Sequence, residues 1–187
     1  MRDSMIPQGI HPTTYIIALV IGAIATAILL TYTLMRVSRK TILVCLVIIN
    51  TLWGVHYFML EAYTGAFCQL FTALVVLICT FKGKNKFFSG LAVPIIINMI
   101  YLMIAAFTWD GFPTVVQIVG NFIFVLATWS DKELAIKALF IPLGLLWLLY
   151  NILCYSWIGI VCQVLAVTFN VVFVTKYLLQ KRKEKNA

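Results

Sequence analysis

The sequence predicts an all-α integral membrane protein, with seven transmembrane helices arranged as two parallel three-helix units joined by one linker helix. The chain of 187 residues is 63% hydrophobic and 11% charged, with a mean hydropathy of +1.04. Soluble domains are less apolar than this. Charged and turn-forming residues divide the chain into seven apolar segments, and two of these segments recur later at a constant spacing. The composition predicts a membrane protein. The seven apolar segments predict the helices, and the recurrence predicts how they are grouped.

Each of the seven segments is close to the roughly 20 apolar residues that a helix needs to cross a bilayer. We predict spans at about residues 14–36, 41–61, 63–81, 88–108, 112–129, 134–154 and 157–179. The first 13 residues contain Asp3, Pro7 and Pro12, and no small-residue cleavage site follows the first apolar run closely. We therefore expect the first helix to be retained, because a signal peptide would carry such a site.

The placement of charge supports an odd number of spans. With seven spans, all but Arg2 of the 14 basic residues fall on one face of the membrane. Basic residues concentrate on the cytoplasmic face, so we expect the N-terminus outside and the C-terminus in the cytoplasm. The net charge of +8 then reflects topology and contact with the lipid bilayer, and no nucleic-acid partner is expected.

The internal repeat appears when the chain is shifted by 94 positions. Residues 52–82 then align without a gap with residues 146–176, and Trp, Gly, Cys and Gln, which are scarce here, are shared. The identical pairs are Leu52 and Leu146, Trp53 and Trp147, Gly65 and Gly159, Cys68 and Cys162, Gln69 and Gln163, and Lys82 and Lys176. Such self-similarity indicates a duplicated helical unit.

The repeat predicts the organisation of the whole chain. We expect an extracytoplasmic tail at 1–13, a first three-helix repeat at 14–82, a linker helix with flanking loops at 83–112, a second repeat at 113–179 and a basic cytoplasmic tail at 180–187. The single linker helix gives both repeats the same orientation. Very tight turns are expected at residues 61–62 and 155–156, and Gly65 and Gly159 just beyond them allow close helix packing.

Polar side chains within spans usually face the bundle interior or a wet cavity, and here they share helix faces at spacings of three and four. They predict an amide- and aromatic-lined substrate site between the repeats, with Trp53, His56, Tyr57, Gln69, Asn121, Trp147, Asn151, Gln163 and Asn170 as its residues. Structural alternatives stay open for several of them. Tryptophan often anchors a span at the membrane interface, intramembrane amides often bond across helices, and a lone histidine such as His56 is often a structural hydrogen-bonding group.

Several kinds of chemistry have no visible basis in the sequence. The five cysteines lie within spans and form no Cys-x-x-Cys pair, which argues against a disulfide framework and a zinc site. No Asp or Glu lies in the middle of a span, so a carboxylate relay for ion coupling has no obvious members. We therefore expect no enzyme activity, no metal and no cofactor, and facilitated diffusion fits better than active uptake.

The run Gly-Val-His-Tyr-Phe-Met-Leu-Glu-Ala-Tyr at residues 54–63 and the later Trp147-Leu-Leu-Tyr-Asn151 with Gly159 resemble the two hairpins of the bacterial inner-membrane family typified by YgjV. The plan of three, one and three helices is similar to that of the SWEET, PQ-loop and PnuC-like transporters. That resemblance implies a ligand midway across the bilayer, stacked on Trp53 and Trp147 and bonded by Asn151. The Pro-Gln signature of PQ-loop proteins is absent from the spans.

The sequence thus predicts a facilitator that moves a small, largely uncharged solute, such as a sugar, nucleoside or vitamin, by alternating access between the two repeats. The alternative is a non-transporting membrane scaffold or sensor that recruits a partner. These two predictions differ in whether the polar residues form a continuous path or closed bonds between helices. Self-association into a homo-oligomer and the identity of the solute are left open.

Overall fold

The structure is a computed structural model that describes residues 9–34, 39–83, 90–130 and 133–186. Within these ranges the fold is entirely helical and contains seven helices. They are α1 (Pro12–Leu34), α2 (Arg39–Met59), α3 (Tyr63–Cys79), α4 (Ala92–Phe107), α5 (Phe112–Trp129), α6 (Glu133–Leu153) and α7 (Trp157–Asn186). The predicted all-α fold is confirmed for these residues.

Four of these helices are long and apolar enough to cross a membrane, namely α1, α5, α6 and α7. The other three contain shorter apolar stretches, at Val44–Met59, Tyr63–Cys79 and Ala92–Phe107. A stretch of this length can span a bilayer when the membrane thins locally or flanking residues reach the interface. Seven crossings therefore remain the prediction made from the sequence.

Two helix boundaries differ from the predicted ones by more than two residues. The fourth helix was expected from Phe88 but begins at Ala92 among the described residues, which places Pro94 in its first turn, where a missing N–H costs no helical bond. The seventh helix continues to Asn186 instead of ending near Leu179. The tail contains no Gly or Pro to stop it, and the Gln180 side chain donates to Glu184 at 3.1 Å along the same helix face.

The helices pack mainly against their neighbours in the chain. α2 lies between α1 and α3, and α6 lies between α5 and α7. In addition, α3 packs against α5, α7 packs against α1, and α4 packs on α3 and α5. These contacts close a ring of six helices, with α4 attached where α3 meets α5.

Two tight turns lie at one end of the bundle, which we call the hairpin end. Glu61 and Tyr155 have φ values of 58° and 54°, a left-handed conformation that commonly ends a helix. The N–H of Ala62 donates to the carbonyl of Tyr57 at 3.0 Å, and the N–H of Ser156 donates to the carbonyl of Asn151 at 2.9 Å. Both predicted turns are confirmed, and they share one hydrogen-bonding pattern.

The opposite end, which carries Lys82 and the end of α7, we call the basic end, and packing there is uneven. Among the described side chains, buried residues stop at Thr26 in α1 and at Cys162 in α7, and they begin only at Ile49 in α2 and Leu143 in α6. By contrast, α3 and α5 keep buried side chains to within one turn of their last residues. Four helices are therefore tightly packed at the hairpin end and loosely packed towards the basic end.

Candidate substrate-binding site

Near the hairpin end, polar side chains join α2 to α6 across the ring. The hydroxyl of Tyr57 donates to Oδ1 of Asn151 at 2.9 Å, and Nδ2 of Asn151 donates to the carbonyl of Trp147 at 2.7 Å. The ring of Tyr150 meets the ring of Tyr57 edge to face at 5.4 Å. Tyr57, Tyr150 and Asn151 are all buried, so these bonds close the hairpin end to solvent.

His56 belongs to the same region, and both of its ring nitrogens bond to other helices. Nδ1 lies 2.7 Å from the carbonyl oxygen of Ala18, and Nε2 lies 2.7 Å from Oγ of Ser156. A carbonyl oxygen can only accept, so Nδ1 carries the proton and the neutral ring accepts from Ser156 through Nε2. His56 thus ties α1, α2 and the start of α7 together and has no nitrogen left for a solute. We call His56, Tyr57, Tyr150, Asn151 and Ser156 the hairpin-end network.

Two glycines make this close approach of helices possible. A methyl group added at Gly65 would lie 2.8 Å from Cε1 and Cζ of the Tyr150 ring, and one added at Gly159 would lie 2.6 Å from Oγ of Ser156 and closer still to the Asn151 amide. Contacts below 3 Å do not occur between real carbon side chains, so neither position has room for a side chain. The predicted role of these glycines in close packing is confirmed.

The two predicted tryptophans lie in different packing clusters and do not form one stacking pair. Trp53 is buried with the hairpin-end network, where its ring stacks on Tyr57 at 5.7 Å. Trp147 packs on α5, 6.1 Å from the ring of Phe124 and beside Gly120. Of the two indoles, only that of Trp147 has a buried N–H without a hydrogen-bond acceptor in the described residues.

One turn from the hairpin-end network towards the basic end, three buried amides lie between α3, α5 and α6. Gly65 faces Tyr150, so Gln69 on α3 and Trp147 on α6 lie one turn deeper at a common level. Gly120, between Gln117 and Asn121 on α5, lies against the Trp147 indole nitrogen. Gln69 is 7% exposed, and Gln117 and Asn121 are each 1% exposed. We call Gln69, Gln117, Asn121 and Trp147 the amide cluster.

The remaining predicted residues lie outside this cluster. Asn170 is half-buried, and its Nδ2 donates to the carbonyl of Ala166 within α7 at 2.9 Å. Gln163 is also half-buried and faces α6, with Oε1 3.7 Å from the position that a methyl group on Gly144 would take.

Three residues of the region were absent from the predicted site: Gln117, Tyr150 and Ser156. Gln117 could have been included from its spacing, because it lies one turn before Asn121 on the same face of α5. Tyr150 lies on the predicted stripe of the sixth span, beside Asn151. Ser156 gave no periodic signal, since it lies in a turn and reaches His56 only through the packing of α7 on α2.

A metal centre has no candidate in the part of the chain that the structure describes. No group of three His, Cys, Asp or Glu side chains is close enough there to bind a metal ion. The five cysteines are free thiols.

Comparisons with known proteins identify the family of the chain but do not identify a ligand. No curated protein and no solved structure matches it. A family model described as "Bacterial inner membrane protein" matches residues 16–182, which include nearly all of α1 to α7. The chain therefore belongs to the Imp-YgjV family of bacterial inner membrane proteins.

Proposed function

We propose that this inner membrane protein carries a small, largely uncharged solute across the membrane by alternating access between two three-helix units, α1–α3 and α5–α7. In this proposal all seven helices cross the bilayer, the hairpin end faces outward and the basic end faces the cytoplasm. The solute is bound between the units and is released unchanged.

The correspondence between the two units supports the repeat. The contact of α3 with α5 has a counterpart in the contact of α7 with α1, as a two-fold axis between the units would require. Tyr57 and Asn151, which bond to each other, are separated by 94 residues, the spacing of the sequence repeat. A residue that contacts its own equivalent lies close to the symmetry axis, so a polar contact occupies the axis of the proposed transporter.

The contact of α3 with α5 is suited to act as a hinge, because it is bonded at both ends. At the hairpin end, Oγ1 of Thr64 lies 3.1 Å from Oγ1 of Thr114. At the basic end, Nζ of Lys82 donates to the carbonyl of Trp129 at 2.6 Å and lies 5.6 Å from the centre of the Trp129 ring. The two helices are thus held together at both ends.

The contact of α7 with α1 is supported at the hairpin end, where the hydroxyl of Tyr15 on α1 donates to the carbonyl of Tyr155, in the turn that precedes α7, at 2.8 Å. Towards the basic end, the described parts of α1, α2, α6 and α7 lack buried side chains. A bundle closed at one end and loosely packed at the other is one of the two states that alternating access requires. This difference between the ends is the observation that carries the proposal.

The chemistry of the interior supports an uncharged solute. The amide cluster contains neutral side chains, and an unpaired charge in an apolar interior costs several kcal/mol or more. Lys82, Asp110 and Glu61 lie at helix ends or in turns, outside the helical segments that carry the cluster. A neutral solute with hydrogen-bonding groups matches this lining.

Transport in proteoliposomes tests the proposal. Purified protein is reconstituted, and uptake of radiolabelled nucleosides, sugars and neutral vitamins is measured against protein-free liposomes. We expect at least one solute to equilibrate faster with the protein, and we expect Trp147→Ala to abolish that uptake while the protein still inserts and folds. Trp157→Ala is the matched control, because Trp157 is 48% exposed at the start of α7 and should act as an interface anchor.

Two outcomes would contradict the proposal. One is that no solute in the panel equilibrates faster than in protein-free liposomes, which would favour a scaffold or sensor. The other is that Trp147→Ala and Trp157→Ala reduce uptake equally and in proportion to the loss of folded protein, because both residues would then act structurally.

A further inference from the structure

The amide cluster holds most of the buried polar atoms that have no hydrogen-bond partner. Within the described residues, eight buried side-chain N and O atoms are unpartnered, and six of them belong to the cluster. The six are Oε1 of Gln69, Nε2 and Oε1 of Gln117, Nδ2 and Oδ1 of Asn121, and Nε1 of Trp147. The Cys68 thiol lies beside Asn121, but a thiol is only a weak hydrogen-bonding group, and both polar atoms of that amide are among the six.

Unpartnered buried polar groups carry a cost that folded proteins normally avoid. Each unsatisfied buried group destabilises the folded protein, and native structures contain only a few of them. Here Gln117 and Asn121 are one turn apart on the same face of α5, so both amides are directed to the same region. Groups concentrated in this way indicate that their partner comes from outside the protein.

We propose that the amide cluster binds a neutral solute with a planar amide-type edge, in which an N–H donor lies beside a carbonyl or ring-nitrogen acceptor, and that Gln117 selects for this edge. The inference rests on the proposed function, since the bound solute is the one transported. Lactams, carboxamides and nucleobases belong to this chemical class.

The numbers of donors and acceptors in the cluster indicate the chemical class of the solute. The six atoms comprise three acceptors and three donors. A primary amide can form two parallel hydrogen bonds with such an edge, as Asn and Gln do with adenine. The Trp147 ring, which packs against the ring of Phe124 with their centres 6.1 Å apart, adds an aromatic wall beside the amides. A carboxylate or ammonium ion would find no opposite charge in the cluster.

The proposal predicts opposite effects of one substitution on stability and on binding. Gln117→Leu removes two unpartnered polar atoms and keeps a similar volume, so the solute-free protein should be at least as thermostable as the wild type. The same change should weaken solute binding about tenfold or more. Asn50→Leu is the matched control: Asn50 is a half-buried amide on α2 whose Nδ2 already donates to the carbonyl of Leu46 at 2.7 Å. It should leave binding unchanged.

The experiment measures thermal unfolding of the full-length protein in detergent, with three pairs of probes. Each pair joins a compound that has the edge to its N-methylated counterpart: uridine with 3-methyluridine, adenosine with N6,N6-dimethyladenosine, and benzamide with N,N-dimethylbenzamide. A ligand of the folded state raises the unfolding temperature with its concentration. We expect at least one parent compound to stabilise the wild type and Asn50→Leu, its methylated counterpart to fail, and Gln117→Leu to lose the shift.

Four results would overturn the inference, and the last two separate its failure from the failure of the proposed function. A lower unfolding temperature for solute-free Gln117→Leu would show that this amide has a structural partner. Equal shifts with parent and methylated compounds would show that the edge is not recognised. If no parent compound shifts the wild type while a sugar does so and is taken up by proteoliposomes, transport stands and the ligand class is wrong. If nothing binds and nothing is taken up, the proposed function fails as well.

Discussion

The hydroxyl of Tyr57 donates to Oδ1 of Asn151 at 2.9 Å, and these two residues are 94 positions apart in the chain. The same spacing relates Glu61 to Tyr155, which share a left-handed backbone conformation. The hydrogen bond therefore joins positions that correspond to each other in the repeat. It also lies where α2 and α6 close the hairpin end, so it is the contact most directly placed to control opening there.

Tyr57→Phe should favour opening of the hairpin end. The substitution keeps the ring but removes the hydroxyl, which costs the closed state about 0.5–1.5 kcal/mol and leaves Oδ1 of Asn151 without its donor. In a protein that retains Cys154 as its single cysteine, a membrane-impermeant maleimide should label this half-buried thiol about two- to tenfold faster. Tyr63→Phe, at a 46% exposed position, is the control and should leave the rate unchanged. An unchanged rate in Tyr57→Phe would show that this bond does not hold the end closed.

Gly65→Ala should destabilise the protein, because the added methyl group would overlap the buried ring of Tyr150. Overpacking of this kind costs about 1–3 kcal/mol. The free energy of unfolding in mixed detergent measures the effect. In a Tyr150→Leu background the ring is gone, so the same glycine substitution should cost much less. Equal costs in both backgrounds would mean that the strain arises elsewhere.

His56 and Ser156 should be energetically coupled, because the Nε2 of one bonds to the Oγ of the other at 2.7 Å. In a double-mutant cycle with His56→Phe and Ser156→Ala, we expect a coupling energy of about 0.5–3 kcal/mol in unfolding. Thr168→Ala replaces Ser156→Ala in the control cycle, since Thr168 is exposed and bonds within its own helix, and it should be additive with His56→Phe. Additivity in the first cycle would show that the hydrogen bond between His56 and Ser156 does not stabilise the fold.

The topology predicted from charge can be tested with fusions at the C-terminus. Because basic residues favour the cytoplasmic face, green fluorescent protein fused after Ala187 should fluoresce, and alkaline phosphatase fused there should be inactive. Fusions after Asp110, in the loop between α4 and α5, should give the reverse pattern. An active phosphatase at the C-terminus would invert the proposed orientation of the hairpin end.

The helices were largely predictable from the sequence, because each depends on local apolar runs and turn residues. The fifth helix matches its predicted bounds, Phe112–Trp129, where Gly111 and Pro113 define its start. The two outer turns were predictable from the repeat. The longer seventh helix was not predicted, because hydrophobicity ends near Leu179, whereas helical hydrogen bonds continue wherever no residue breaks them.

The candidate site was only partly predictable. Spacing places Trp53, His56 and Tyr57 on one face of α2, but it does not say which of them pair within the protein and which do not. His56 and Asn151 are bonded to other helices, whereas Gln117, which was not included in the predicted site, has both polar atoms unpartnered. Pairing depends on distances between helices that are far apart in the chain.

The sequence by itself determined that this is a helical membrane protein and predicted that one of its hairpins corresponds to another, because hydrophobicity, charge and residue spacing act within single helices. Only the tertiary structure decided which polar groups close the hairpin end and which lie unpartnered in the amide cluster. The physical reason is that a buried hydrogen bond needs its partners within about 3 Å. Glycines such as Gly65 set that distance by allowing two helices to approach, and this approach exists only once the helices have packed.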